Sequence, residues 1–197
     1  MPIGGMPSVL SADMVRDMVQ EEKRNIGIGS EVENMRDVIN RVYDTLSKNG
    51  WTISRQNISL YRLPECISGR YNNPPAEWVE FLNSISVCVN PDETAWFLCT
   101  NDFNEQGDDT FRWNEFELMS LQAAIDDSDA EWQSAIVKFW DNHLPIYLSV
   151  AGGYEYYAIR MSDGVIVHGA EPEFEETTDA APSFAKFMEM ICTGDIL

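Results

Sequence analysis

The sequence predicts an α+β domain, with a mixed or mainly antiparallel sheet wrapped by helices and a helical N-terminal extension. Three observations carry that prediction. An apolar stripe at three- and four-residue spacing runs through residues 32–46. Short β-rich apolar runs separated by tight-turn residues fill 85–100 and 145–169. Helix-type stripes lie between and after those blocks instead of alternating with single strands.

In chain order, a short helix over about residues 11–24 leads through Gly27-Ile28-Gly29 to a longer one. That glycine pair lacks the spacing and the preceding strand of a phosphate loop. Ser30 and Glu33 have capping-box spacing, so hydroxyl and carboxylate can satisfy otherwise unpaired first-turn N–H groups. Behind them Val32, Met35, Val38, Ile39, Val42, Tyr43 and Leu46 form one apolar face, and Gly50 stops the helix. ISLYRLP (58–64) predicts a strand ended by Pro64. NNPPAEWVEFL (72–82) predicts a helix entered at Pro74-Pro75, with Trp78, Phe81 and Leu82 on one side. ISVCV (85–89) and TAWFLCT (94–100) predict a hairpin turning at Asn90-Pro91-Asp92-Glu93.

An acidic loop, NDFNEQGDD (101–109), leads to FRWNEFELMSLQAAI, a helix with Trp113, Phe116, Leu118, Leu121 and Ala124 inward. AEWQSAIVKFWDNH predicts the next helix, with Trp132, Ile136, Phe139 and Trp140 as its stripe and Pro145 ending it. PIYLSV, YEYYAIR and VIVHG then read as an antiparallel meander, turning at Ala151-Gly152-Gly153 and at Met161-Ser162-Asp163-Gly164. Asp-Gly between apolar runs is a strong hairpin signal, because glycine accepts the positive φ of such turns. Tyr154 and Tyr156 point to one face of the middle strand, and either is a candidate for an exposed binding face. Ser183-Phe184 opens a last helix whose Phe184, Phe187, Met188 and Ile191 pack inward.

At 197 residues, with no repeat or linker, the chain reads as a single domain. The unusual quantity is charge, a formal net of −20 from 13 Lys+Arg and 33 Asp+Glu. Such a surface repels phosphate backbones and anionic lipid, so nucleic acid and membranes are excluded as partners and a basic protein is favoured. Two acidic runs concentrate the excess: Asp102 to Glu131 and Glu171 to Asp179 hold fifteen carboxylates and one arginine between them. The candidate partner-binding residues are Asp102, Glu105, Asp108, Asp109, Asp126, Asp127, Asp129, Glu131, Glu171, Glu173, Glu175 and Glu176, with Tyr154 and Tyr156. The N-terminus lacks a basic stretch followed by an apolar one, and Cys66, Cys88, Cys99 and Cys192 form no Cys-x-x-Cys pair. A cytoplasmic protein with reduced thiols is expected.

Motifs for catalysis are missing. His143, expected at a helix end, and His168, expected at a strand end, share no pattern with a serine or cysteine nucleophile, and no metalloprotease, nucleotide-loop or calcium-loop motif occurs. His168 with Glu171 and Glu173 has poor metal-ligand spacing and is better read as an ordinary strand-end histidine. The tryptophans 78, 96, 113, 132 and 140 all fall in apolar stripes, which favours core packing over a sugar cleft. No enzyme activity, cofactor or metal is expected.

The order LPE (63–65), WVEFL, WFLCTNDF (96–103), RWNEFE (112–117), LPIYLSVAGGYEYYAIRMSDGVIVHG (144–169) and SFAKFM (183–188) resembles the SUKH superfamily. That group includes the yeast cell-wall-synthesis regulators Smi and Knr, the bacterial protein Syd and many bacterial immunity proteins. The resemblance covers about residues 57–192 and leaves 1–55 as a helical extension. It implies a non-catalytic α+β domain that binds a cognate toxin domain in the cytoplasm of the cell that makes the toxin. A Smi/Knr-like scaffold without a toxin partner is the alternative. Many such toxins are nucleases, whose substrate demands a basic surface, so an acidic inhibitor fits.

Overall fold

A computed structural model describes residues 34–56, 63–104 and 111–197. The helix expected over 11–24, the Gly27–Gly29 joint, the Ser30/Glu33 capping box and residues 58–62 of the expected strand lie outside them. The first helix, α1 (Met35–Lys48), buries Val38, Ile39, Val42, Tyr43 and Leu46, the stripe its spacing predicts. Gly50 follows at φ +84°, a left-handed position where a side chain would be strained.

Seven strands form one sheet in simple chain order: β1 (Thr52–Arg55), β2 (Ile85–Val89), β3 (Ala95–Phe97), β4 (His143–Ser149), β5 (Glu155–Arg160), β6 (Ile166–Ala170) and β7 (Thr177–Ala181). Among the described residues every strand pairing is antiparallel. The hairpins at Asn90–Glu93, Ala151–Gly153 and Met161–Gly164 fall where the turn residues predict, with Gly152 at φ +80° and Gly164 at φ +79°. The remaining helices are α2 (Glu65–Arg70), α3 (Ala76–Ser84), α4 (Thr100–Asn104), α5 (Glu115–Asp126), α6 (Ala130–Trp140) and α7 (Phe184–Thr193). The Ser183 hydroxyl accepts from the Lys186 N–H at the start of α7, and Gly194 ends that helix at φ +76°.

Period-two alternation gives the sheet two apolar faces. On one, Phe97, Tyr147 and Tyr157 meet Phe81 of α3 and Phe187 of α7, and α1 packs across α7. On the other, Tyr156 meets Phe116 of α5 and Trp140 of α6. Helices therefore cover the sheet on both sides, which is why every residue of the central strand β4 is buried. No described helix is long and apolar enough to cross a membrane, and the four cysteines form no disulfide.

Several local expectations are corrected. Pro145 does not end a helix. α6 stops at Trp140, and Pro145 sits inside β4, beside a register irregularity that accommodates a residue without an N–H. His143 opens that strand instead of closing the helix, and His168 lies in the middle of β6, opposite Tyr157 and Thr178. The end of the second acidic run, Thr177 to Asp179, belongs to β7. On α5 the inward positions include Glu117 and Ser120, while Leu118 and Leu121 are only half-buried.

Candidate functional site

The segment between β6 and β7, residues 171–176, carries four of the candidate carboxylates and is seated on an aromatic bed. Phe174 is buried, and its ring stacks on Phe116 with centroids 4.7 Å apart and planes inclined by 13°. The Tyr156 hydroxyl donates to the Phe174 carbonyl. Burial, and after it the charge of Glu175, pushes that phenol above its ordinary pKa, so it remains a donor. The Trp140 indole N–H donates to Glu175 Oε1 at 2.8 Å, and the Glu171 N–H bonds the Tyr154 carbonyl at 2.8 Å. These ties hold the backbone of an exposed acidic loop in one place. Side-chain anchors and a stacked ring do here what a ladder of strand hydrogen bonds does elsewhere.

Beside the loop lies an open groove of about 460 Å³. Its helical wall is Met119, Ser120 and Ala123 of α5 with Trp132 of α6; its other wall is the loop, Glu171 to Glu176. Trp132 is 38% exposed and Met119 36%, so an aromatic ring and a thioether face solvent together. This corrects the expectation that Trp132 belongs to the core. Trp132 and Trp140 are eight residues apart, and at about 100° per residue their directions differ by roughly 80° around the helix. Trp140 meets Tyr156 of the sheet, whereas Trp132, at the edge of the apolar stripe and in the first turn of the helix, reaches solvent. No lysine or arginine lines the groove among the described residues. Among the described residues, no hydrogen-bonding or ionic partner engages the side chains of Glu171, Glu173 or Glu176.

The expected partner-binding residues separate into distinct places. Glu171, Glu173, Glu175 and Glu176 gather at the groove. Asp129 caps α6, accepting from the Trp132 N–H at 2.9 Å, so the other acidic run reaches the groove through the residue it caps. Asp126, Asp127 and Glu131 are exposed around the α5–α6 turn, with Asp126 accepting from Gln122 at 2.8 Å. Asp102 lies elsewhere, accepting from the Cys99 N–H at 2.6 Å and lining a separate groove with Cys88 and Cys99. Glu105, Asp108 and Asp109 are outside the described residues. Tyr154 is half-buried against Phe111 and Phe116. Tyr156 is fully buried and cannot belong to an exposed face; its hydroxyl and ring are used internally. A further carboxylate of the first run, Glu117, also turns inward and holds Arg70 through two 2.7 Å hydrogen bonds.

Both histidines have local partners. His168 Nε2 lies 3.1 Å from Glu155 on the neighbouring strand. The His143 ring stacks on Phe139 with centroids 3.9 Å apart, and its Nδ1–H donates to the Phe139 carbonyl at 2.8 Å. Among the described residues no group of three or more His, Cys, Asp or Glu could hold a metal ion. Sequence reading missed Met119, Ser120, Trp132 and Phe174 as site residues. No local signal set Trp132 apart, because a residue eight positions from Trp140 still falls within one apolar stripe.

No family model matches the chain, and no curated protein or solved structure is significantly similar to it.

Proposed function

We propose that this protein is a non-catalytic protein-binding domain, an immunity protein that neutralises a cognate toxin domain by receiving its basic surface on the groove between α5, α6 and the 171–176 loop. The observation that carries the reading is the exposed Trp132 ring beside four glutamates, with no cation in the lining among the described residues. Aromatic anchors within charged rims are the common architecture of interface hot spots. Carboxylates facing solvent also accelerate encounter with a cationic partner, with a rate that falls as salt rises. The SUKH resemblance supplies the immunity role, and the charge supplies the preference for a nuclease, whose own substrate-binding surface is basic.

The test begins with the reading frames that flank this gene, each expressed as a candidate toxin domain. Co-expression is expected to protect cells from that domain. The purified pair should associate with an on-rate that drops steeply between low and physiological salt. A domain that kills equally well in the presence of the protein, with no salt-dependent association, overturns the proposal. Recovery of several housekeeping proteins and no toxin would mean a Smi/Knr-like scaffold instead.

A further inference from the structure

Ser120 gives the groove a second feature, independent of its charge. It is only 7% exposed, it lines the groove, and its hydroxyl has no hydrogen-bond partner among the described residues. The residue as a whole is covered, but its oxygen is open to the groove, where it can give or accept a hydrogen bond with whatever enters. Around it the wall is apolar, from Met119, Ala123, Trp132 and Pro172, and the rim is anionic, from the glutamates.

We propose that this groove seats one arginine side chain presented by the basic partner protein. The arginine stem lies along Met119 and Ala123, the guanidinium stacks on Trp132, and its N–H groups reach Ser120 Oγ on the floor and carboxylates of Glu173 and Glu176 on the rim. Arginine fits better than lysine for three reasons. Its head is planar and stacks on an indole. It is more weakly hydrated and so enters a half-apolar groove at lower cost. Its five donors can serve a hydroxyl and carboxylates at once, where an ammonium has three donors and no face. The charge complementarity selects a cationic occupant; the hydroxyl open to the groove and the flat aromatic wall select which cation.

This inference rests on the protein-binding reading and is tested so that the two can fail separately. The full chain is titrated with hexa-arginine, hexalysine and a neutral hexapeptide of serine and glycine, following the Trp132 indole N–H resonance and the dissociation constant. Hexa-arginine should shift that resonance saturably and bind about fivefold or more tighter than hexalysine at equal charge. Trp132→Leu should weaken hexa-arginine by about fivefold to tenfold and erase most of the preference over lysine. Ser120→Ala should weaken it by a smaller factor, with the folded spectrum unchanged. Equal affinity for both cationic peptides, or hexa-arginine binding that leaves the Trp132 indole unmoved and survives Trp132→Leu, overturns the arginine seat while salt-dependent capture of a basic partner stands. If neither cationic peptide nor the toxin domain binds at all, both readings fall.

Discussion

Tyr156 and Gly169 stand opposite each other on β5 and β6, and the tyrosine ring fills the space a Gly169 side chain would take. A Cβ built on Gly169 would lie 2.5 Å from Cε1 and Cζ of that ring. The ring cannot easily move aside, because it is fully buried and its hydroxyl is bonded to Phe174. Gly169→Ala is therefore expected to destabilise the fold by about 1–3 kcal/mol, measured by urea unfolding. It should also loosen the 171–176 loop, seen as faster amide exchange there. Tyr156→Phe keeps the ring but leaves the Phe174 carbonyl without its donor, at a cost of about 1–3 kcal/mol. An unchanged midpoint in Gly169→Ala would mean the ring is freer than its contacts indicate.

Glu117 and Arg70 form an ion pair inside the fold, with 6% and 20% of their side chains exposed. Arg70 also donates to Asp141 at 2.8 Å, tying α2 to the residue after α6. Removing the cation alone leaves a carboxylate out of water with nothing to neutralise it, so Arg70→Met should cost about 3–5 kcal/mol. Replacing both, Arg70→Met with Glu117→Leu, should recover much of that loss. Denaturant unfolding of the two single variants and the double variant checks this. A double variant as unstable as Arg70→Met would overturn the account.

His143 ties stability to pH. Burial, partly countered by the hydrogen bond to Phe139, holds its imidazole below the ordinary value of 6.5. The native state therefore favours the neutral ring, and the unfolded chain takes up a proton first as pH falls. The stabilisation is complete above about pH 6.5 and is lost as pH drops through the lower native value. Thermal melts of the native protein and of His143→Asn, whose amide can still donate to Phe139, should diverge across that window. The variant should show the shallower decline towards acid, and parallel curves would refute the assignment.

The two tryptophans of α6 should behave oppositely on truncation. Trp140 is 1% exposed and bonds Glu175, whereas Trp132 is 38% exposed. Trp140→Ala is expected to cost about 3–5 kcal/mol. Trp132→Ala should stay within about 0.5 kcal/mol while weakening capture of the basic partner. Comparable losses of stability in both, by calorimetry, would place Trp132 in the core and close the groove.

Local pattern made much of this fold legible. The α1 stripe, the helix entered at Pro75, the hairpin at Asn90–Glu93 and the glycine turns of the meander all lie where spacing and turn chemistry put them. Antiparallel pairing followed from short connections for β2–β3, β4–β5 and β5–β6, whereas the pairing of β3 with β4 across residues 98–142 did not. β1 and β7 were not legible, because Thr52–Arg55 and Thr177–Ala181 are largely polar edge strands, identified by their hydrogen-bonded neighbours and not by their own apolar content. α2 and α4 are too short, at six and five residues, to show a period.

The concentration of negative charge, the absence of a catalytic motif and the helix and strand periods were determined by the sequence itself, since they depend on residue type and on backbone repeats a few residues long. Only the tertiary structure decided that Glu117 turns inward, that Tyr156 is buried, that Trp132 faces outward, and that the 171–176 loop meets residues 119–132. Those outcomes depend on how each helix is rotated against the sheet and on contacts between residues tens of positions apart, and no local period encodes either.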